Sequence, residues 1–294
     1  METTNSLTTS IIDTINSIFE SLFSSIDDTI YKSLDDLVFI DTNILSNSIF
    51  EKIFGTNSYS GILVIANSLL VGFSLYYAIR LIYSYYMNLQ VERPYQFIFK
   101  LLIFGIVMNC SYFICEQFLL LNTFISDAIK SLGFNIFGHK ICFSELINNL
   151  NNIILNTENT FNIFSFNGLI KSFISISFFN LIFSYSLRFI MIKVFILLCP
   201  FAILTLINES TSWFFKTWFR SILSLLLQQS FVLIILLLIF SFNYQDNILS
   251  KCMYIGGIYA LTRANYYIRV LIGGISTDIS NNINFSNIIN KNNN

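Results

Sequence analysis

The sequence predicts an all-α, polytopic membrane protein with about five transmembrane helices, one Pro-broken re-entrant segment and an amphipathic N-terminal helix outside the bilayer. Three observations carry this. Of 294 residues, 54% are hydrophobic and 11% charged, with a mean hydropathy of +0.66, whereas soluble domains carry roughly 25% charged residues. Several uncharged apolar runs approach or exceed the roughly 20 residues that a helix needs to cross a bilayer. Only two prolines and eleven glycines are available for turns, so most of the chain is expected to be helical.

Residues 1–60 form an acidic region, with two lysines against nine acids, while the remainder carries fourteen basic against eight acidic groups. Ile11, Ile15, Ile18, Leu22, Ile26, Ile30, Leu34 and Leu37 recur at helical spacing, and Asp13, Glu20, Asp27, Asp28 and Asp35 fall mostly off that stripe. Ser10 and Asp13 have capping-box spacing. Such a helix either packs on its own protein or binds a partner outside the membrane. Its acidic polar face argues against adsorption to anionic lipid.

Gly61–Ile79 is an uncharged run of 19 residues, extended by Arg80 to Met87. With a second span over Phe97–Leu121 it gives a transmembrane hairpin over 61–121. An outer loop over 122–165 is expected to hold an amphipathic helix, because Phe143, Leu146, Ile147, Leu150, Ile153 and Ile154 share helical spacing. A transmembrane core over 166–275 follows, with spans at Phe166–Leu187, Ser221–Phe242 and Cys252–Ile272, the last weakened by Arg263 and Arg269. The asparagine-rich stretch 276–294 reads as a flexible tail.

Val194–Ile207 lies within that core. It is uncharged but only 14 residues long, about 21 Å as a helix against a hydrocarbon core of roughly 30 Å. Pro200 removes a backbone donor that lipid does not replace. A re-entrant segment held by neighbouring protein is expected, with Arg188 and Lys193 marking the cytoplasmic boundary before it.

Basic residues set the orientation. With the N-terminus outside, Arg80, Arg93, Lys100, Arg188, Lys193, Lys216, Arg220, Arg263, Arg269 and Lys291 fall on the cytoplasmic side. Lys32, Lys52, Lys130, Lys140 and Lys251 remain outside, with Lys171 near that interface. The expected location is therefore the cytoplasmic membrane, multi-pass, with the C-terminus cytoplasmic. The N-terminus shows no cleavable signal-peptide pattern.

Enzyme chemistry is not indicated. There is no GxxxxGK phosphate loop, no assembled Ser-His-Asp set, and no CxxC among the five scattered cysteines. The single histidine, His139, has no ligand partner at metal spacing and reads as a surface residue. No catalytic, cofactor or metal residues are expected. Structural or pathway candidates remain. Glu116 is a carboxylate placed near the outer interface of the second span, the general setting of proton or ion paths. Trp213, Lys216, Trp218 and Arg220 read as an interfacial belt able to reach lipid phosphates. Gln228 and Gln229 lie inside an apolar span, so at least one should face another helix. Pro200 breaks its segment.

The order of features from Leu169 to Gly274 resembles the TrbL-like inner-membrane channel components of type IV secretion systems, of the Gram-positive conjugative kind. The residues that carry it are RFIMIKVFILLCPFAIL, the turn NESTSW, FFKTWFRSILSLLLQQSFVLIILLLIF and the closing YALTRANYYIRVLIGG, with Pro200, Trp218 and the Gln228–Gln229 pair as the counterpart elements. The longer soluble C-terminal region common in that family has no counterpart here. The resemblance implies a homo-oligomeric component that helps pass DNA with attached protein across the cytoplasmic membrane. Its implied partners are other secretion subunits including ATPases, membrane lipids and transferred single-stranded DNA. A small-solute permease or exporter membrane subunit is the alternative, expected to gather polar groups at mid-membrane. A lysis or immunity protein would need neither the broken segment nor the long loop.

Overall fold

The computed structural model describes residues 10–19, 21, 33–56, 60–87, 93–155, 165–242 and 248–273. Among them all regular structure is helical. The principal elements are α1 (Ser48–Phe54), α2 (Ile62–Met87), α3 (Pro94–Asn109), α4 (Ser111–Phe137), α5 (Phe143–Leu155), α6 (Phe166–Leu204), α7 (Ser212–Phe240) and α8 (Ile248–Ile272). Residues 10–19 and 33–38 are also helical, and most of the predicted N-terminal stripe between them lies outside the described residues, as does the 276–294 tail.

Among the described residues, three helices are long and apolar enough to cross a membrane: α2, the α6 stretch Asn167–Ile207 and the α7 stretch Glu209–Phe240. The count rises to four if α3 and α4 together make one bent span. Five spans are therefore not reached. The predicted Cys252–Ile272 span corresponds to α8, where Lys251, Arg263 and Arg269 dilute the apolar sequence.

The expected straight second span is broken, with α3 and α4 meeting at Cys110 at 57°. Asn109 marks the break: its amide donates to the Gly105 carbonyl at 2.8 Å and exchanges hydrogen bonds with Asn67 of α2 at 3.1 and 3.2 Å. Tyr77 and Phe97 stack at 3.7 Å to join α2 and α3 further along. Beyond the bend α4 runs to Phe137, so the first part of the predicted 122–165 loop is helix. It stops at Gly138, whose φ of 75° suits a left-handed cap. Glu116 consequently lies in the second turn after the bend, half-buried, instead of at the end of a straight span. The amphipathic helix in this region is α5, with Phe143, Leu146, Ile147 and Leu150 buried.

The larger correction concerns Val194–Ile207. It is no separate re-entrant piece, because α6 runs unbroken from Phe166 to Leu204 with Pro200 inside it. At 39 residues the helix is about 58 Å long, nearly twice the hydrocarbon thickness. Two features explain its continuity. The charge of Arg188 does not end the helix, since its guanidinium is matched inside the protein. Pro200 deprives only the Ile196 carbonyl of its usual donor, and in the same turn Trp218 donates its indole N–H to the Phe195 carbonyl at 2.8 Å. Two 3-10 turns, Thr205–Ile207 and Glu209–Thr211, then reverse the chain. Thr211 ties them by donating to the Thr205 carbonyl at 2.8 Å.

α7 is the central helix, packed on α4, α6 and α8, and 67% of its most apolar stretch is buried. In α2 the figure is 6%, leaving that helix almost bare. The buried apolar residues form two clusters stacked along the bundle. One holds Leu34, Val38, the buried face of α5, α6 up to Tyr185, α7 from Val232 and α8. The other holds Ile40 to Phe54, parts of α2, α3 and α4, α6 from Ile192 and α7 up to Leu226.

Replacing Pro200 with alanine tests the continuous helix. An interior proline costs about 3 kcal/mol relative to alanine in an unstrained helix. Pro200→Ala should therefore leave the thermal unfolding midpoint of the detergent-solubilised protein unchanged or raised. A clear drop would mean that the local packing requires the proline.

Candidate functional site

Between the two apolar clusters lies a buried polar layer. It falls near the middle of α4, α6 and α7, at Asn122 and Ser126, Ser184 and Arg188, and Gln228 to Ser230 respectively. All are buried, although the flanking sequence is strongly apolar.

Arg188 is its centre, with 0% of its surface exposed. Its Nε donates to the Leu225 carbonyl of α7 at 2.8 Å, and one terminal nitrogen donates to the Val38 carbonyl at 2.9 Å. Desolvating a cation is costly unless its donors find partners. Here the partners are backbone carbonyls, and among the described residues no carboxylate pairs with it. The planar guanidinium, which stays charged and offers five donors, can bridge α6, α7 and the N-terminal segment together. Arg188 therefore does not mark a boundary.

Gln229 makes the second bridge. Its Oε1 accepts from the Ile40 backbone N–H at 3.1 Å and from the Asn122 side-chain amide at 3.0 Å. The expectation that one glutamine faces another helix is met inside one chain, toward α4. Gln228 is equally buried, with its Oε1 unmatched. Asn122 Oδ1, the Ser126 and Ser230 hydroxyls and the second terminal nitrogen of Arg188 also lack partners among the described residues. Each such atom costs about 1–3 kcal/mol when desolvated. The layer thus retains spare donors and acceptors on three helices.

The N-terminal segment is locked at further points. Asp35 accepts from the Phe143 and Ser144 backbone N–H groups at 2.8 and 3.2 Å and from the Ser144 hydroxyl at 2.6 Å, capping α5 from more than a hundred residues away. Lys130 places its ammonium 4.0 Å from the Phe39 ring. Tyr112 donates to the Leu45 carbonyl at 3.3 Å. Residues 33–45 therefore pack on the bundle through Leu34, Val38, Ile40, Ile44 and Leu45, the first of the two expectations for this region, whereas Ile11 and Ile18 are exposed.

The predicted belt divides. Trp213 is 63% exposed and Trp218 is 4% exposed, so only the latter packs into the bundle. Lys216 and Arg220 are exposed. Arg220 lies across Gly273, which ends α8 at a φ of 76°, and a cation there suits the negative end of the helix. Glu116 and Pro200 stand apart from the polar layer. His139 is half-buried, its ring centroid 6.0 Å from that of Phe137 and 5.1 Å from that of Phe240, so it is not a plain surface residue. Sequence reasoning missed Arg188, Asn122 and the Val38–Ile40 backbone as one constellation. The available signal was the position of Arg188, midway along a 41-residue stretch, Asn167–Ile207, that is apolar enough to cross a membrane.

The arrangement is that of an all-α protein with several apolar helices compatible with a membrane, clamped at mid-height by a buried arginine. No family model, curated protein or solved structure matches the chain.

Breaking the layer should release the N-terminal segment. Gln229→Leu leaves the Ile40 N–H without its acceptor, and Arg188→Met leaves the Val38 carbonyl without its donor. An uncompensated loss of this kind accelerates amide exchange about tenfold to a hundredfold. We expect that increase over residues 38–42 by hydrogen–deuterium exchange, with α2 unchanged. Wild-type protection in both variants would show that the apolar contacts alone hold the segment.

Proposed function

We propose that the chain is a multi-pass component of the cytoplasmic membrane serving a conjugative type IV secretion channel, TrbL-like in its C-terminal half. The supporting observation is that the stretch carrying the resemblance, Leu169 to Gly274, contains α6, α7 and α8, each packed on the other two. In this reading α6 descends from the outside, the Asn208 turn lies in the cytoplasm, and α7 returns. Lys216, Arg220 and the Lys100–Glu209 pair at 3.9 Å then share the cytoplasmic end, while Lys130, Lys140 and Lys251 share the outer one. The part of α6 around Pro200 reaches the cytoplasmic interface, where Trp218 pins it. The bare face of α2 is left for lipid or for a second copy in a homo-oligomer. Energy comes from separate ATPases, and the substrate is single-stranded DNA with attached protein.

A second reading, a small-solute permease or exporter membrane subunit, is favoured by the polar layer itself, since buried polar groups meeting at mid-height are what such a site requires. Against it, Val38 and Ile40 of the chain's own N-terminal segment already occupy Arg188 and Gln229.

Donor cells lacking the gene test the choice. Transfer of a mobilisable plasmid should be lost and restored by the wild-type chain, but restored poorly by Arg188→Met or Trp218→Ala at equal membrane levels. Wild-type transfer frequency without the gene would overturn the secretion reading. A defect in solute accumulation alone would favour the permease.

A further inference from the structure

A cavity of about 440 Å³ lies away from the polar layer, between the N-terminal segment, the last turns of α4 and the α4–α5 connection. Its walls include Asp35, Phe39, Lys130, Phe134, Lys140 and Ile141. The floor is apolar. The two ammonium groups add positive charge, and among the described residues neither pairs with a carboxylate. Asp35 is the only acid in the wall, and both its oxygens already accept from the start of α5. The lining is thus net positive, with Ser131 and Asn135 adding hydrogen-bonding groups. Phe134, which shares one face of α4 with Lys130, Ser131 and Asn135, is 52% exposed.

We propose that this cavity binds an anionic glycerophospholipid. The phosphate lies between Lys130 and Lys140, the glycerol and ester oxygens meet Ser131 and Asn135, and the acyl chains follow Phe39, Phe134 and Ile141. A phosphate beside two lysines gains favourable Coulomb energy, and apolar walls favour acyl chains over a fully polar anion. A zwitterionic lipid brings its own cation toward the same lysines and loses that advantage. The site requires only that the chain reside in a bilayer, so it stands whether or not the chain serves conjugation.

Cys142 provides a reporter within the wall. Its thiol is half-buried, and burial, followed by the nearby Asp35 and Glu145 carboxylates, pushes its pKa up. Alkylation is therefore slow at neutral pH and rises as the solution becomes more alkaline. The full chain is placed in nanodiscs of phosphatidylglycerol or of phosphatidylcholine and treated with N-ethylmaleimide at about pH 8.5, and Cys142 is followed by peptide mass spectrometry. Labelling should be on the order of tenfold slower in phosphatidylglycerol, given the contribution of each lysine near an anionic surface. Exposed Cys252 serves as an internal standard for reagent access. Combining Lys130→Gln with Lys140→Gln should abolish the difference while leaving the labelling of Cys252 unchanged. Equal labelling in the two lipids would overturn the proposal, as would protection that survives the double substitution. Equal protection by inorganic phosphate in phosphatidylcholine would also overturn it, by showing a small-anion site that ignores acyl chains.

Discussion

The bonds from Arg188 to the Leu225 and Val38 carbonyls are the constraint around which the bundle is organised. A guanidinium cannot shed its charge at accessible pH, so the surrounding backbone must supply oxygen at the depth where the arginine lies. This fixes the rotation of α6 against α7 and brings an irregular piece of chain into the interior, where its polar backbone also has to be satisfied. Gln229 does that for Ile40, and Asn122 extends the arrangement to α4. The two apolar clusters then pack on either side.

Apolar packing alone would leave α6 and α7 considerable freedom to slide, because one aliphatic surface resembles another. A directional layer removes that freedom by defining one register for each helix. The same layer carries unmatched atoms on Arg188, Asn122, Ser126, Gln228 and Ser230, so it does more than seal the core. Specification of register and retained polar capacity can coexist because the bonds used for the first do not exhaust the donors and acceptors present.

Much of the helical content was legible in the sequence because hydropathy reports burial directly. The runs behind α2, α6 and α7 were visible, as was the periodicity of α5. Two of the errors share one cause: charges and prolines were read as signs of water or helix termination. Arg188 was set at a boundary because lysine and arginine usually snorkel to one, but backbone carbonyls at long range can replace that water. Pro200 was read as a break, although one missing N–H is readily absorbed when a neighbouring indole fastens the same turn. Conversely, the true bend at Cys110 has neither proline nor a charged residue at its apex. Its local mark is the polar pair Asn109 and Ser111 in an apolar run. Of the candidate residues, Gln228 and Gln229 were identified from an unfavourable amide in an apolar run, a cost visible without a partner. Asn122 was not singled out, since it seemed to begin an asparagine-rich loop.

The depth at which Val38 and Ile40 are buried has a consequence for biosynthesis. Ile40 is separated from Gln229 by 189 positions, and ribosomes add roughly 5–20 residues per second. The N-terminal segment therefore waits about 10–40 seconds for Gln229, holding Val38 and Ile40 without their polar-layer partners. Closure of the polar layer thus follows the synthesis of α7.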